Sequence, residues 1–354
     1  MNPAILSIAC TTPDRRLARE DWMSIAQRIA PASVAPGVTA RLAERSGIDA
    51  RWCAGADAPD GSAFYAKDPQ AGGPGTAERM RLWAAAVRPL AVRAGREALR
   101  DAGVAAASIT HVVTASCTGF VAPGIDQWLM EELSLPRSCR RTHVGFMGCH
   151  AAVNALSVAA AFVRADPAAR VLVVCAEISS AHLHYGARLD RLIANTLFAD
   201  GVAAAVVAAD GPGDALRFVR SDSVLMEGSV AEMAWEVGDH GFEMTLGAAV
   251  PDLLRSGVGP WVRGILAEEA IDPVAVGGWA IHPGGPRVID AVLESLALEP
   301  RHGESSRAIL RDFGNMSSAT LLFIMRAMRE RGIPRPWVAL AFGPGIAGEA
   351  LLLA

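Results

Sequence analysis

Cys149 lies in Val144-Gly145-Phe146-Met147-Gly148-Cys149-His150-Ala151-Ala152, where a short apolar run meets a glycine and an alanine-rich stretch follows. That pattern puts the thiol on a strand-to-helix turn. A helix starting just after it would aim free N–H groups and a positive end at the sulfur, favouring the thiolate that attacks electrophiles. The alternative is a buried cysteine that packs as a small hydrophobe. Two further segments hold the partners that a nucleophilic thiol needs. In Trp279-Ala280-Ile281-His282-Pro283-Gly284-Gly285-Pro286 a short apolar strand ends at His282, and the Pro-Gly-Gly-Pro turn stops the chain there. In Phe313-Gly314-Asn315-Met316-Ser317-Ser318-Ala319-Thr320, Asn315 precedes an apolar helix and fits a helix cap as well as a site amide. Taken together, Cys149, His282 and Asn315 form a set with catalytic logic. An imidazole can activate the thiol, and imidazole and amide N–H donors can hold a developing oxyanion.

Hydrophobic periodicity gives the elements that must position these residues. It predicts helices over 20–29, 78–102, 124–133, 151–164, 250–270, 287–297 and 317–331, and strands over 111–115, 143–146, 171–175, 202–207, 279–281 and 337–342. Such alternation argues for α/β layers. The turn-rich stretch 210–214 is the expected boundary between a half over 1–211, which carries Cys149, and a half over 212–354, which carries His282 and Asn315. No internal sequence repeat is visible across it. The Ala/Gly/Pro-rich stretch 54–76 reads as a long surface loop.

Composition narrows the function class. The chain has 354 residues, 51% hydrophobic and 20% charged, with a net charge of −4, which suits a well-buried enzyme and gives no general attraction for nucleic acid. An anionic substrate would need a local basic patch, and Arg41 and Arg45, followed by Arg51, are the candidates. The six cysteines form no CxxC pair, and His182-Leu183-His184 lacks further ligands at metal spacing, so no metal site is expected. The amino terminus has no basic lead with an extended apolar core, and the apolar stretch 151–163 is short of the roughly twenty residues that span a bilayer. No membrane insertion and a reducing, cytoplasmic setting are the expectations.

With these residues in place, the chain resembles the type III polyketide synthases, the chalcone and stilbene synthase family of the thiolase fold. The stretches that carry the resemblance are Thr110-His111-Val112-Val113, Cys117-Thr118-Gly119 with Pro123-Gly124, the Cys149 turn, Val171 to Glu177, and Leu197-Phe198-Ala199-Asp200-Gly201. They continue through His282 to Pro286, Gly314 to Ala319, and Phe342-Gly343-Pro344-Gly345, and their order strengthens the likeness. The resemblance implies duplicated α/β halves in a five-layered αβαβα arrangement. It implies Cys149 as the acyl-carrying nucleophile, His282 and Asn315 as the decarboxylation and condensation pair, and Phe198 as an aromatic gatekeeper. It implies an acyl-coenzyme A starter and malonyl-coenzyme A as substrates, no cofactor, a homodimer, and an alkylpyrone or alkylresorcinol as product. Arg41 and Arg45 would lie at the mouth of the coenzyme A tunnel with Gly284 and Gly285, and Gly343, Pro344 and Gly345 would form a supporting loop against the Cys149 turn.

Departures from the plant members fall around the cavity. Met244 stands where the second gatekeeper phenylalanine is usual, and methionine is thinner and more adaptable. Trp235 takes a position that is usually small, so it narrows one part of the pocket as Met244 loosens another. Cys117, Thr118, Ser179, Ala181 and Ser317 complete the expected cavity. Fatty acyl starters are preferred on this reading over the rigid aromatic starters of a chalcone-like synthase. A β-ketoacyl carrier-protein synthase of the initiating kind shares the fold and triad, but His282-Pro283-Gly284-Gly285-Pro286 argues against it, since that enzyme type has His-Gln-Ala-Asn there. A papain-like hydrolase would want its cysteine near the mature amino terminus, and an inactive scaffold would not need the intact triad.

Overall fold

A computed structural model describes residues 2–354 except 32, 56–61, 66–71, 210, 212 and 214. In chain order the first elements are β1 (Ala4–Thr11), β2 (Arg16–Ala18), α1 (Arg19–Ile29), α2 (Pro36–Arg45), β3 (Ala50–Trp52), α3 (Ser62–Tyr65), α4 (Thr76–Ala102), β4 (His111–Ser116) and α5 (Ile125–Glu132). Then come β5 (Arg140–Gly145), α6 (Ala151–Ala165), β6 (Arg170–Ile178), α7 (Leu189–Leu197), β7 (Asp200–Ala208), β8 (Leu216–Leu225), β9 (Met233–Gly238) and β10 (Gly241–Leu246). The chain ends with α8 (Val250–Glu268), β11 (Gly278–Ile281), α9 (Pro286–Ser295), α10 (Glu304–Phe313), α11 (Ala319–Glu330), β12 (Trp337–Gly343) and β13 (Ala347–Leu353).

Nine strands join in the order β11-β12-β13-β8-β1-β7-β6-β4-β5, while β9 and β10 form a separate ribbon. Strand sequence dictates the layering. In β6, Val171, Val173 and Cys175 enter one core cluster and Leu172, Val174 and Ala176 another, because successive side chains of an unbroken apolar strand serve opposite faces. In β12, Trp337, Ala339 and Ala341 share the first cluster, and Val338, Leu340 and Phe342 enter a third. The first cluster also takes Leu156 of α6 and Leu322 of α11, the second takes Val87 of α4 and Leu129 of α5, and the third takes Leu254 of α8 and Val292 of α9. The order is thus helix, sheet, helix, sheet, helix, the five-layered thiolase-like arrangement. α6 fits between the two wings because Ala151, Ala152, Ala155 and Ala159 are small and wholly buried. By composition alone the window Gly148–Ala165 would pass for a membrane span, yet 61% of it is buried inside the protein, so it is a core helix.

Several elements escape the periodicity. β8 alternates buried and wet positions and carries Arg217, Arg220 and Asp222, and β13 ends in a leucine run whose local preference is helical. α2, α7 and α10 were also not expected. The helix expected at 317 starts at Ala319, because Ser317 adopts φ 47°. Asp210, Pro212 and Asp214 of the expected boundary lie outside the described residues, as does most of the expected loop over 54–76, in which Ser62–Tyr65 form α3.

Candidate active site

Cys149 occupies the single turn Gly148–His150 between β5 and α6. Gly148 has φ 80°, and a Cβ there would lie 2.2 Å from Pro344 Cδ, so only glycine admits both the turn and its neighbour. A Cβ on Gly343 would lie 2.3 Å from His150 Cδ2, so the end of β12 packs directly on the turn. His282 is the residue after β11, and its N–H donates to Leu340 O at 2.8 Å, so the parallel β11–β12 pairing sets its place. The Asn315 N–H donates to Leu197 O at 2.9 Å and the Ala199 N–H to Asn315 O at 2.8 Å, a bridge that brings Phe198 beside Asn315. Asn315 Oδ1 accepts the Ser317 N–H at 2.9 Å, which leaves the amide nitrogen to reach the Cys149 sulfur. Asn315 is therefore not the cap of α11; Ser318 holds that position.

Two small chambers meet at Cys149. The inner one is lined by Cys117, Thr118, Ser179, Trp235, Ser317 and Pro344, and the outer one by His282, Asn315, Gly284, Leu246 and Val250. Phe198, Met233 and Met244 line both, so they stand at the junction. Water centres have about 20 Å³ in the inner chamber and about 30 Å³ in the outer, room for one or two waters each. Beyond them a groove of about 460 Å³ runs past Arg45, Leu189, Gly284, Gly285 and Arg287.

Burial governs the electrostatics. It pushes the Cys149 thiol up to about 12, against hydrogen bonds from Ser317 and Asn315 that favour the thiolate. Burial, followed by the neighbouring His150, pushes His282 down to about 3, and both of its ring nitrogens are buried without a partner among the described residues. Burial thus favours the neutral thiol and the neutral imidazole, where the sequence led us to expect a thiolate at the helix end. Desolvation outweighs the hydrogen bonds to the sulfur here.

The structure thus gathers Cys149, His282, Asn315, Phe198, Met244, Cys117, Thr118, Ser179, Trp235 and Ser317 around the chambers. Ala181 is not there: it is wholly buried in the core beside α4, and its carbonyl accepts from Arg79 at 2.7 Å. Arg45 lines the groove, but Arg41 is exposed outside it. Arg51 is no mouth residue, because its buried guanidinium donates to Thr196 O at 2.7 Å and Phe198 O at 3.0 Å. Gly345 lines neither chamber, and its carbonyl accepts from Ser229 Oγ at 2.6 Å. His182 and His184 both hydrogen-bond backbone groups.

Sequence reasoning missed Met233, Leu246 and Arg287. It also missed the role of Glu177, a buried carboxyl that accepts from the Thr118 N–H at 3.1 Å, Thr118 Oγ at 2.7 Å and Ser318 Oγ. Glu177 ties the segment after β4 to the segment before α11, and a lone acid ending an apolar strand was its only signal.

Residues 61–211 match the N-terminal domain of the chalcone and stilbene synthases, and residues 218–354 match the C-terminal domain. The alpha-pyrone synthesis polyketide synthase-like Pks18 of Mycobacterium tuberculosis is 36% identical over 284 residues, covering 78% of this chain and 72% of that protein. The 3,5-dihydroxyphenylacetyl-CoA synthase of Streptomyces toyocaensis is 32% identical over 282 residues, covering 75% and 72%. The crystal structure of PKS-I from the brown alga Ectocarpus siliculosus superposes with a TM-score of 0.94 at 28% identity, over 99% of this chain and 98% of that one. The chain belongs to the chalcone and stilbene synthase family, the type III polyketide synthases, which are acyl-transferring condensing enzymes that use coenzyme A thioesters. The carrier-protein synthase alternative is not favoured.

Proposed function

We propose that Cys149 carries the acyl chain, that His282 and Asn315 drive decarboxylation and condensation, and that Phe198 and Met244 gate the passage to the inner chamber. The observation that carries this reading is His282, a buried imidazole with both nitrogens unpartnered in a chamber shared with Cys149 and Asn315. Buried polar groups without partners are uncommon, and a substrate carbonyl supplies one. His282 takes the thiol proton as the sulfur attacks the starter thioester; the bond to coenzyme A breaks, and the leaving thiolate regains that proton. Malonyl-coenzyme A then loses carbon dioxide, and the electron pair left behind forms an enolate held by the His282 and Asn315 N–H donors. The enolate carbon attacks the Cys149 thioester, the carbon–sulfur bond breaks, and the lengthened chain leaves on coenzyme A to be reloaded. Repetition and cyclisation give an alkylpyrone or alkylresorcinol.

Arg45 and Arg287 flank the groove, and we assign them to the phosphates of coenzyme A, with Gly284 and Gly285 lining its path. Gly343 and Pro344 brace the nucleophile turn. The halves 1–211 and 212–354 are read as the two units of the duplicated fold. No cofactor enters this chemistry. Six free cysteines fit a reducing cytoplasm. A homodimer is supported by β5, which ends the sheet with alternately exposed residues, and by Phe120, Val121, Phe146 and Met147 exposed near it. Phe120→Glu should then give a monomer by light scattering.

Intact-mass measurement after incubation with an acyl-coenzyme A tests the central assignment. Wild type should gain one acyl group and Cys149→Ala none. An adduct of equal yield on the variant would move the nucleophile elsewhere.

A further inference from the structure

The ribbon β9–β10 lends Met233, Trp235, Met244 and Leu246 to the chambers, although it belongs to neither wing of the large sheet. These four side chains share one face, because Met244 pairs with Trp235 and Leu246 with Met233 across the ladder. An isolated two-stranded ribbon is marginal in water, so its position depends on what holds it. Two histidines grip the backbone of a single residue of β10, one on each side of its Cα. His182 Nδ1 accepts the Phe242 N–H at 2.9 Å, and His184 Nε2 donates to Phe242 O at 2.6 Å. The imidazoles stand in for a third strand.

His182 does more than bind Phe242. Its Nε2–H donates to Thr118 O at 2.6 Å, which fixes the neutral tautomer with Nδ1 as acceptor. Its ring stacks on Phe242 at 4.3 Å and meets the Trp235 indole edge-on at 5.7 Å. The Trp235 indole N–H donates to Cys117 O at 2.7 Å. Consecutive carbonyls of the segment after β4, those of Cys117 and Thr118, thus receive the cavity wall directly through Trp235 and indirectly through His182. His182 itself is 4% exposed and lines neither chamber.

We propose that His182 is a positioning residue that locks the β9–β10 wall against the inner chamber and thereby limits the length of acyl chain the enzyme accepts. This rests on the type III polyketide synthase reading with Cys149 as acyl carrier. An inner chamber of about 20 Å³ for water centres cannot hold a growing chain unless a wall yields. Loss of the bonds to His182 and Cys117 O leaves the ribbon tied by His184 to Phe242 O, by Thr76 to the Gly241 N–H at its turn and by Arg191 to Glu243, so it is the Trp235 and Met244 face of the wall that is freed to yield.

Two substitutions divide the functions of the ring. In His182→Gln the amide nitrogen can still reach Thr118 O, but no acceptor remains beside the Phe242 N–H. In His182→Asn the side-chain oxygen sits near the old Nδ1 and keeps that bond. For His182→Gln, the ratio of kcat/KM for a long-chain over a short-chain acyl-coenzyme A should rise about tenfold, a step typical of small changes in pocket fit. His182→Asn should stay within about twofold of wild type. Trp235→Phe keeps an aromatic ring but deletes the bond to Cys117 O, and it should shift the ratio in the same direction, which covers the case of a His182 variant that does not fold. Malonyl-coenzyme A decarboxylation without starter monitors the Cys149, His282 and Asn315 centre. A ratio unchanged in His182→Gln or in Trp235→Phe, or equal shifts in the Gln and Asn variants, overturns the proposal. Loss of decarboxylation in step with product, at an unchanged ratio, would make His182 a folding residue only and also overturns it. Failure of wild type to convert malonyl-coenzyme A to acetyl-coenzyme A and carbon dioxide would instead sink the underlying reading.

Discussion

Alkylation of Cys149 in the free enzyme should show no plateau near neutral pH. The thiol is pushed up to about 12 by burial, and His282, pushed down to about 3, is neutral at every working pH and offers no charge to hold a thiolate. The sign follows directly: a raised thiol pKa keeps the proton on sulfur, so the thiolate fraction grows as pH rises. At pH 8 it is on the order of one molecule in ten thousand, and it increases about tenfold per pH unit until pH approaches the thiol pKa. The rate of carbamidomethylation by iodoacetamide, read out by intact mass between pH 6 and 10, should climb across the whole range with a slope near one on a logarithmic scale.

Peptide mapping assigns the modified residue. It is needed because Cys53, Cys117, Cys139 and Cys175 are also buried thiols pushed upward by desolvation. Ser317→Ala and Asn315→Ala each remove a hydrogen bond that favours the thiolate, so each should slow alkylation at fixed pH by about two- to tenfold, as expected for about 0.5–1.5 kcal/mol. His282→Ala should abolish turnover yet barely alter the alkylation rate. A plateau beginning at pH 6 or 7 and lost in His282→Ala would refute the reasoning, since it would reveal a preformed thiolate–imidazolium pair.

Two further expectations concern turnover and chain length. His282→Ala and Asn315→Ala should each cut malonyl decarboxylation by about a hundred- to a thousandfold, as for other lost oxyanion donors, with Asn315→Ala keeping more self-acylation than decarboxylation; equal losses of acetyl-coenzyme A formation and of acyl-enzyme by intact mass would contradict that division. Met244→Phe fills the junction between the chambers and should shorten the starters accepted, while Trp235→Gly should open the inner chamber and alter the product ratio. Assays with medium-chain, long-chain and aromatic acyl-coenzyme A check both, and unchanged products in both would place these residues outside the reacting volume.

Cys149, His282 and Asn315 were legible because each stands where a regular element ends beside or near a glycine, a local pattern. Their convergence is not local: it depends on β11 pairing with β12 and on the bridge between Phe198 and Asn315, contacts between segments far apart in sequence. The β9–β10 ribbon was missed for a different reason. Its alternation is short, Glu236 and Glu243 interrupt it, and Asp239-His240 replaces the Asn-Gly type of turn that marks a hairpin. Met233 and Leu246 were lost with it.

Arginines show the limit most clearly, because charge alone does not tell a ligand from a strut. Arg45 and Arg51 are close in sequence, yet Arg45 is exposed on the groove while Arg51 is 3% exposed beneath it. Arg51 is tolerated there because the last carbonyls of α7 and that of Phe198 accept its guanidinium, the partial negative charge of a helix end facing a cation, and because it lies 4.3 Å over the Trp22 ring. Removing it orphans the carbonyls of Thr196 and Phe198 at about 1–3 kcal/mol each, beside the gatekeeper. Arg51→Ala should therefore lower the melting temperature and the amount of folded enzyme, whereas Arg45→Ala, an exposed contact worth about 0.2–1 kcal/mol, should raise KM for acyl-coenzyme A a few-fold with kcat and melting temperature retained. If Arg51→Ala kept its stability and changed only KM, the guanidinium would be reading coenzyme A after all, and the placement of Phe198 by Arg51 would lose its physical basis.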